Sequence, residues 1–141
     1  MKNTSIQFKE IISVCRDLYT KKLQDYGPAW RVLRLPSLTD QIFIKVNRIR
    51  TLQEATERLV DEDEEGEFVA IVNYSIMALI QLELGFADQP DLTDEQAIDF
   101  YDKYATIAHD LMMKKNHDYG EAWRDMRVSS ITDLILSLIH I

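Results

Sequence analysis

A block of this chain occurs twice, 93 residues apart, and the repeat restricts the possible folds more than any other property of the sequence. Lys21-Lys22-x-x-Asp25-Tyr26-Gly27-x-Ala29-Trp30-Arg31-x-x-Arg34 returns as Lys114, Lys115, Asp118, Tyr119, Gly120, Ala122, Trp123, Arg124 and Arg127. Without gaps, 15 of the 30 positions from Cys15 to Ile44 match their counterparts, including Asp17, Leu18, Ser37, Thr39, Asp40 and Ile42. A period this long belongs to a duplicated supersecondary unit. The retained residues are mainly polar, charged and aromatic types on a connector, where packing alone explains little, so the repeat points to a site.

With 141 residues, two copies are expected to share one hydrophobic core. Four Gly and three Pro leave little room for a turn-rich β fold, and the composition favours helices. The expected fold is all-α: a helical bundle built from a duplicated helix-connector-helix unit. The first unit spans residues 1–92, and the second, incomplete, spans 93–141. One cysteine, Cys15, excludes an internal disulfide framework, and Met1 to Glu10 lacks the apolar core of a signal peptide. These features predict a cytoplasmic protein. A net charge of −8 argues against general nucleic-acid binding, which needs a basic surface. Phe68 to Phe86 is long enough to suggest a membrane span, but Asn73, Gln81 and Glu83 interrupt it, so a buried central helix is expected.

Phe8, Ile11, Ile12, Cys15, Leu18 and Tyr19 follow helical spacing, as do Tyr101, Tyr104, Ala105, Ala108, Leu111 and Met112 behind the capping-box sequence Thr93-Asp94-Glu95-Gln96. Both helices run into a lysine pair and then a glycine, Gly27 or Gly120, suited to a positive-φ cap. After each connector, Ser37-x-x-Asp40 and Ser130-x-x-Asp133 predict helix starts with serine as the cap. The first of these helices is expected to reach about Leu59, followed by an acidic run to Glu67 and an apolar central helix to Gly85. The repeat fades after Ile135. The closing Leu136 to Ile141 breaks the pattern and leaves an uncovered apolar end, which reads either as sequence not native to the unit or as a homodimer contact.

Each candidate site residue has two readings. Arg31, Arg34, Arg124 and Arg127 offer planar forks that match phosphate oxygens, or else meet surface carboxylates. Trp30, Trp123, Tyr26 and Tyr119 stack on a base, or else anchor the connectors to the core. Lys22 and Lys115 contact phosphate, or else answer the helix dipole. Asp25 and Asp118 orient a ligand or bond their own turn, while Asp40 and Asp133 are capping-box partners or ligands. In the acidic run, Glu64 and Glu67 are oxygen ligands for a hard cation, or a solvated helix start. Asn73 lies on an apolar stripe and needs a partner, with Tyr26, Asp40 or a ligand phosphate as the candidates. His109, His117 and His140 have no metal-like spacing, and no catalytic nucleophile is evident.

Lys-x-x-Asp25-Tyr26-Gly27, Trp30-Arg31, Ser37-Leu38-Thr39-Asp40-Gln41-Ile42 and Asn73-Tyr74 with Met77-Ala78-Leu79-Ile80 resemble the nucleotide-modification-associated domain family, first type. The resemblance covers nearly the whole chain and implies a nucleotide or other phosphorylated small molecule as ligand. The all-α pattern is more distantly similar to MazG-type nucleoside triphosphate pyrophosphohydrolases. That similarity implies a magnesium ion (Mg2+) held by Glu64, Glu67 and Asp40, with Arg31, Arg34 and Lys45 on the phosphates and Trp30 positioning the base. One turn before Asn73 the chain has Ala70 where those enzymes carry an acid. The alternative is a non-enzymatic interaction or dimerisation module whose tryptophans and arginines are interface anchors. Either reading expects the two connectors to approach each other across a pseudo-twofold.

Overall fold

Asn3 accepts a hydrogen bond from the Ile6 amide at 3.1 Å and opens α1 (Thr4–Tyr26). The computed structural model describes residues 3–55 and 64–140. Among these residues there are five α-helices, two short 3-10 turns and no strand, so the protein is an all-α bundle. After α1 come a first connector turn (Ala29–Val32), α2 (Leu35–Glu54) and α3 (Glu64–Leu84). They are followed by α4 (Asp94–Tyr119), a second connector turn (Ala122–Asp125) and α5 (Val128–Ile139). Both turns, the ends of α1 and α4, and the starts of α2 and α5 are offset by the 93 residues of the sequence repeat.

Thr93 and Gln96 form the expected capping box at the start of α4, with reciprocal bonds of 3.1 and 2.9 Å. The serine caps are not found. α2 begins at Leu35 with Arg34 as its cap, and α5 begins at Val128 with Arg127 as its cap. The carbonyl of Arg34 accepts from the Ser37 and Leu38 amides at 3.0 and 3.3 Å. In α2, Pro36 in the first turn favours the earlier start, since its fixed φ suits a helix entry where no amide partner is needed; α5 starts at the matching position with Ser129 there. Ser37, Asp40, Ser130 and Asp133 therefore lie inside their helices rather than forming capping boxes. α2 ends at Glu54, and the expected extension to Leu59 falls outside the described residues, as do Asp61, Glu62 and Asp63.

α1 and α4 pack antiparallel. Arg16 forks onto Asp102 at 2.7 and 3.0 Å, the Tyr19 hydroxyl donates to the Ala97 carbonyl at 2.9 Å, and Thr4 bonds Glu121. This pairing separates the connectors. Each follows the carboxyl end of its helix, so antiparallel packing puts them at opposite ends of a helix pair about 30 Å long. The expected meeting of the two connectors does not occur.

α3 lies against α1, α2 and α4. Its length and composition would allow a membrane span, but its Ile76 and Ile80 join the core with Tyr19, Leu23 and Trp30 from the first unit and Ala97, Tyr101 and Ala105 from the second. A second cluster joins Val46 and Ile49 of α2 to Ile71 of α3, with Ile135 of α5 packed against it. Truncating fully buried Ile80 to alanine is expected to cost about 2–5 kcal/mol. Asn73 bonds neither Tyr26 nor Asp40. Its Nδ2 donates to the Cys15 carbonyl at 3.0 Å and its Oδ1 accepts from the Tyr101 hydroxyl at 2.8 Å, tying α3 to both α1 and α4.

Candidate functional site

The first connector begins where α1 stops. Gly27 takes φ 61°, and its amide closes the helix onto the Leu23 carbonyl at 2.8 Å. A Cβ added at Gly27 meets nothing within 4 Å, so backbone conformation rather than space calls for glycine. The 3-10 turn then points Trp30 and Arg31 inward.

Arg31 is 3% exposed. Its Nε and Nη2 fork onto Asp91 at 2.8 and 3.3 Å, and its Nη1 donates to the Gly85 carbonyl at 2.6 Å and to Gln81. Gln81 in turn donates to the carbonyls of Arg31 and Leu33 at 2.9 and 2.8 Å. Arg31 is thus a joint between the connector, the end of α3 and the loop before α4. A buried guanidinium with every nitrogen engaged cannot also grip phosphate, which removes Arg31 from the expected ligand set. The guanidinium holds the Asp91 carboxyl below its usual range.

Trp30 is 8% exposed and tilted against Tyr19, with ring centroids 6.4 Å apart. Its indole nitrogen is buried and has no hydrogen-bond partner among the described residues. In the second copy the corresponding Trp123 Nε1 donates to Asn116 Oδ1 at 3.2 Å, and the place of Asn116 is taken in the first copy by apolar Leu23. Beside Trp30 opens a cleft of about 340 Å³ lined by Tyr19, Lys22, Leu23, Tyr26, Gly27, Ala29, Trp30, Leu33, Tyr74 and Met77. It gathers Lys22, Tyr26 and Trp30 from the expected site. Asp25 and Arg34 are exposed nearby in sequence but do not line it.

At the other end of the helix pair, Trp123 is 39% exposed and Tyr119 81% exposed. Arg124 lies 4.6 Å from the Trp123 ring centroid, bonds Glu121 at 2.8 Å, and reaches Thr4 and Gln7 of α1 at 2.5 and 2.7 Å. The Arg124 and Thr4 bonds hold the Glu121 carboxyl below its ordinary value, Thr4 contributing most. Lys115, Asp118 and Arg127 are exposed, and among the described residues Asp118 meets its neighbour His117, at 3.2 Å. The two halves of the candidate set are therefore two separate places.

A third place lies between α2 and α3. The buried carboxylate of Glu67 takes Arg48 at 3.2 Å on Oε1 and Lys45 at 3.5 Å on Oε2. Glu64 opens α3 one turn earlier, and Asp40 is exposed on α2. Among the described residues, no three His, Cys, Asp or Glu side chains gather as a metal-binding group. A carboxylate already neutralised by two cations is a poor magnesium ligand, so these residues do not fit the expected Glu64, Glu67 and Asp40 metal site.

Sequence reading missed Gln81, Asp91, Tyr74 and Asn116. For Gln81 a signal was present, since it interrupts an apolar helix and a buried amide must be satisfied.

The profile of the family described as nucleotide modification associated domain 1 matches residues 22–82 and 115–140. Both matches begin at the same point of the repeat, Lys22 and Lys115, and the first runs through the connector, α2 and most of α3. No curated protein and no solved structure is significantly similar. The matched segments cover more than half of the sequence and include both connectors, and the chain belongs to the nucleotide modification associated domain 1 family.

Proposed function

We propose that the chain binds a nucleotide, with the base in the cleft beside the first connector and the phosphates at Lys22. The observation that carries this reading is the convergence of Lys22, Tyr26 and Trp30, all retained in the repeat, on one cleft with Tyr74 and Met77. A volume of about 340 Å³ suits a nucleoside rather than a larger group. Tyr26 is exposed, so its ring is free to lie on a base, and an ammonium at the rim answers phosphate charge without burying it. The family's association with nucleotide modification agrees with this ligand class. We ascribe no bond cleavage to the site, because the carboxylates expected to hold magnesium do not come together.

Titration with ribo- and deoxyribonucleoside mono-, di- and triphosphates, with and without magnesium, tests the proposal. Binding should fall by at least about tenfold in Lys22→Ala, the loss of one charge-assisted contact. Absence of binding across the panel, or identical affinity in the variant, would sink it. Mass analysis of the same mixtures reports any hydrolysis.

The second connector favours a different role, contact with another polypeptide, because a half-exposed tryptophan under a stacked arginine is a common interface anchor.

A further inference from the structure

The two copies of the repeat differ most in what covers the connector. In the first copy α3 does so. Its Ile76 and Ile80 pack with Tyr19, Trp30, Ala97 and Tyr101, and its Gln81 grips Arg31. Glu83, nearly a turn after Ile80, takes Lys103 at 2.5 Å and the Tyr104 hydroxyl at 2.6 Å. Moving each of these partners to its counterpart in the other copy gives Met112, Trp123, Thr4, Phe8, Arg124, Glu10 and Ile11. Those residues line an open groove of about 470 Å³. Each of these seven partners of α3 therefore has its counterpart in the groove, while those of Leu23 and Ala105, Asn116 and Ile12, do not line it.

The groove also has the chemistry of an unfilled seat. Ile11 is 61% exposed and Trp123 39%. Among the described residues, no group donates to the carbonyls of Arg124 and Met126, the counterparts of the two carbonyls that Gln81 holds. Arg124 turns instead to Thr4 and Gln7. The family match in the first unit extends into α3, so a helix of this type is part of the matched unit.

We propose that this groove is the docking site for a helix of α3's own chemistry that residues 3–140 do not supply. Its occupant carries two branched apolar residues four apart and a glutamine immediately after the second, as Ile76, Ile80 and Gln81 do. One feature differs. Where the first unit offers Lys103 to Glu83, the groove offers Glu10, so the incoming helix carries lysine or arginine at the position of Glu83. Glutamine displaces Thr4 and Gln7 from Arg124 as the helix seats.

The test uses the intact chain and labelled peptides of residues 64–84, fused to a soluble carrier, in an anisotropy titration. The Glu83→Lys peptide should bind one per chain, roughly three- to fivefold more tightly than the unaltered peptide, the effect of one exposed charge pair. Glu10→Lys in the protein should reverse that order. Gln81→Leu in the peptide and Trp123→Ala in the protein should each weaken binding. Circular dichroism of both protein variants establishes that they remain folded. Equal binding of both peptides, no binding, or shielding of Trp123 by self-association without peptide would overturn the proposal.

Discussion

Gln81 holds Arg31 on both its faces, accepting from the guanidinium Nη1 with Oε1 and donating to the Arg31 carbonyl with Nε2 at 2.9 Å. One amide thus satisfies a buried cation and pins the backbone that carries it. With Asp91 and the Gly85 carbonyl completing the set, the desolvation cost of burying Arg31 is offset by matched partners. The shared spacing of the repeat positions this arginine in both copies, but among the described residues a helix like α3 receives it in the first copy alone.

Removing Gln81 should therefore cost more than removing the groups that Arg124 uses. Gln81→Leu leaves buried donors and acceptors unpaired and is expected to destabilise the fold by about 2–4 kcal/mol. Gln7→Leu, at a part-buried contact of Arg124, should stay within about 0.5 kcal/mol. Urea unfolding of the two variants makes the comparison, and equal losses would contradict the assignment.

Asn73 and Tyr101 form the buried tie between α3 and α4. Tyr101→Phe should cost about 1–2 kcal/mol by leaving Asn73 Oδ1 without its donor. A double-mutant cycle with Asn73→Leu should give a coupling of about 1 kcal/mol, whereas additive effects would mean that the hydroxyl and amide are independent.

Acid should loosen the Arg31 joint. The Asp91 carboxyl titrates below its ordinary value of 3.8 because of the hydrogen bond and charge of Arg31. Its contribution is thus complete above the unfolded-state value and is lost as pH falls through the depressed folded value. Asp91→Asn should be less stable at neutral pH and show a shallower decline of melting temperature on acidification than the parent. Parallel acid limbs would remove Asp91 from the account.

Alkali should act through Tyr19 and Tyr101. Burial raises both phenols above the ordinary value of 10.0, chiefly by desolvating the phenolate. Stability is then fully present below that ordinary value and falls as pH rises above it, because the unfolded chain releases these protons first. Tyr101→Phe should flatten this alkaline limb, as read from unfolding free energies against pH. An unchanged slope would contradict it.

The sequence was informative where the determinants are local. Helical spacing, the Thr93 capping box and the glycine stops are read within a few residues, and the repeat supplied the duplicated unit. The Ser-x-x-Asp pattern points to Ser37 as a cap, whereas the helix, with Pro36 in its first turn, starts three residues sooner. The separation of the connectors could not be read, since no local pattern gives the direction in which α1 and α4 pair. Arg31 meets a carboxylate, the second of its two readings, but its burial could not be read for a similar reason. Its partners Gln81 and Asp91 lie 50 and 60 residues away, and a buried joint and a phosphate fork use the same side chain.

Hydrogen exchange of the protein with and without a bound nucleotide tests the central claim most directly, because it reports which end of the α1 and α4 pair holds the ligand. Protection concentrated on the end of α1, the first connector and the part of α3 around Tyr74 and Met77, with the second connector unchanged, is the predicted result. Protection centred on Trp123 and Arg124, or none at either connector at saturating nucleotide, would contradict the account.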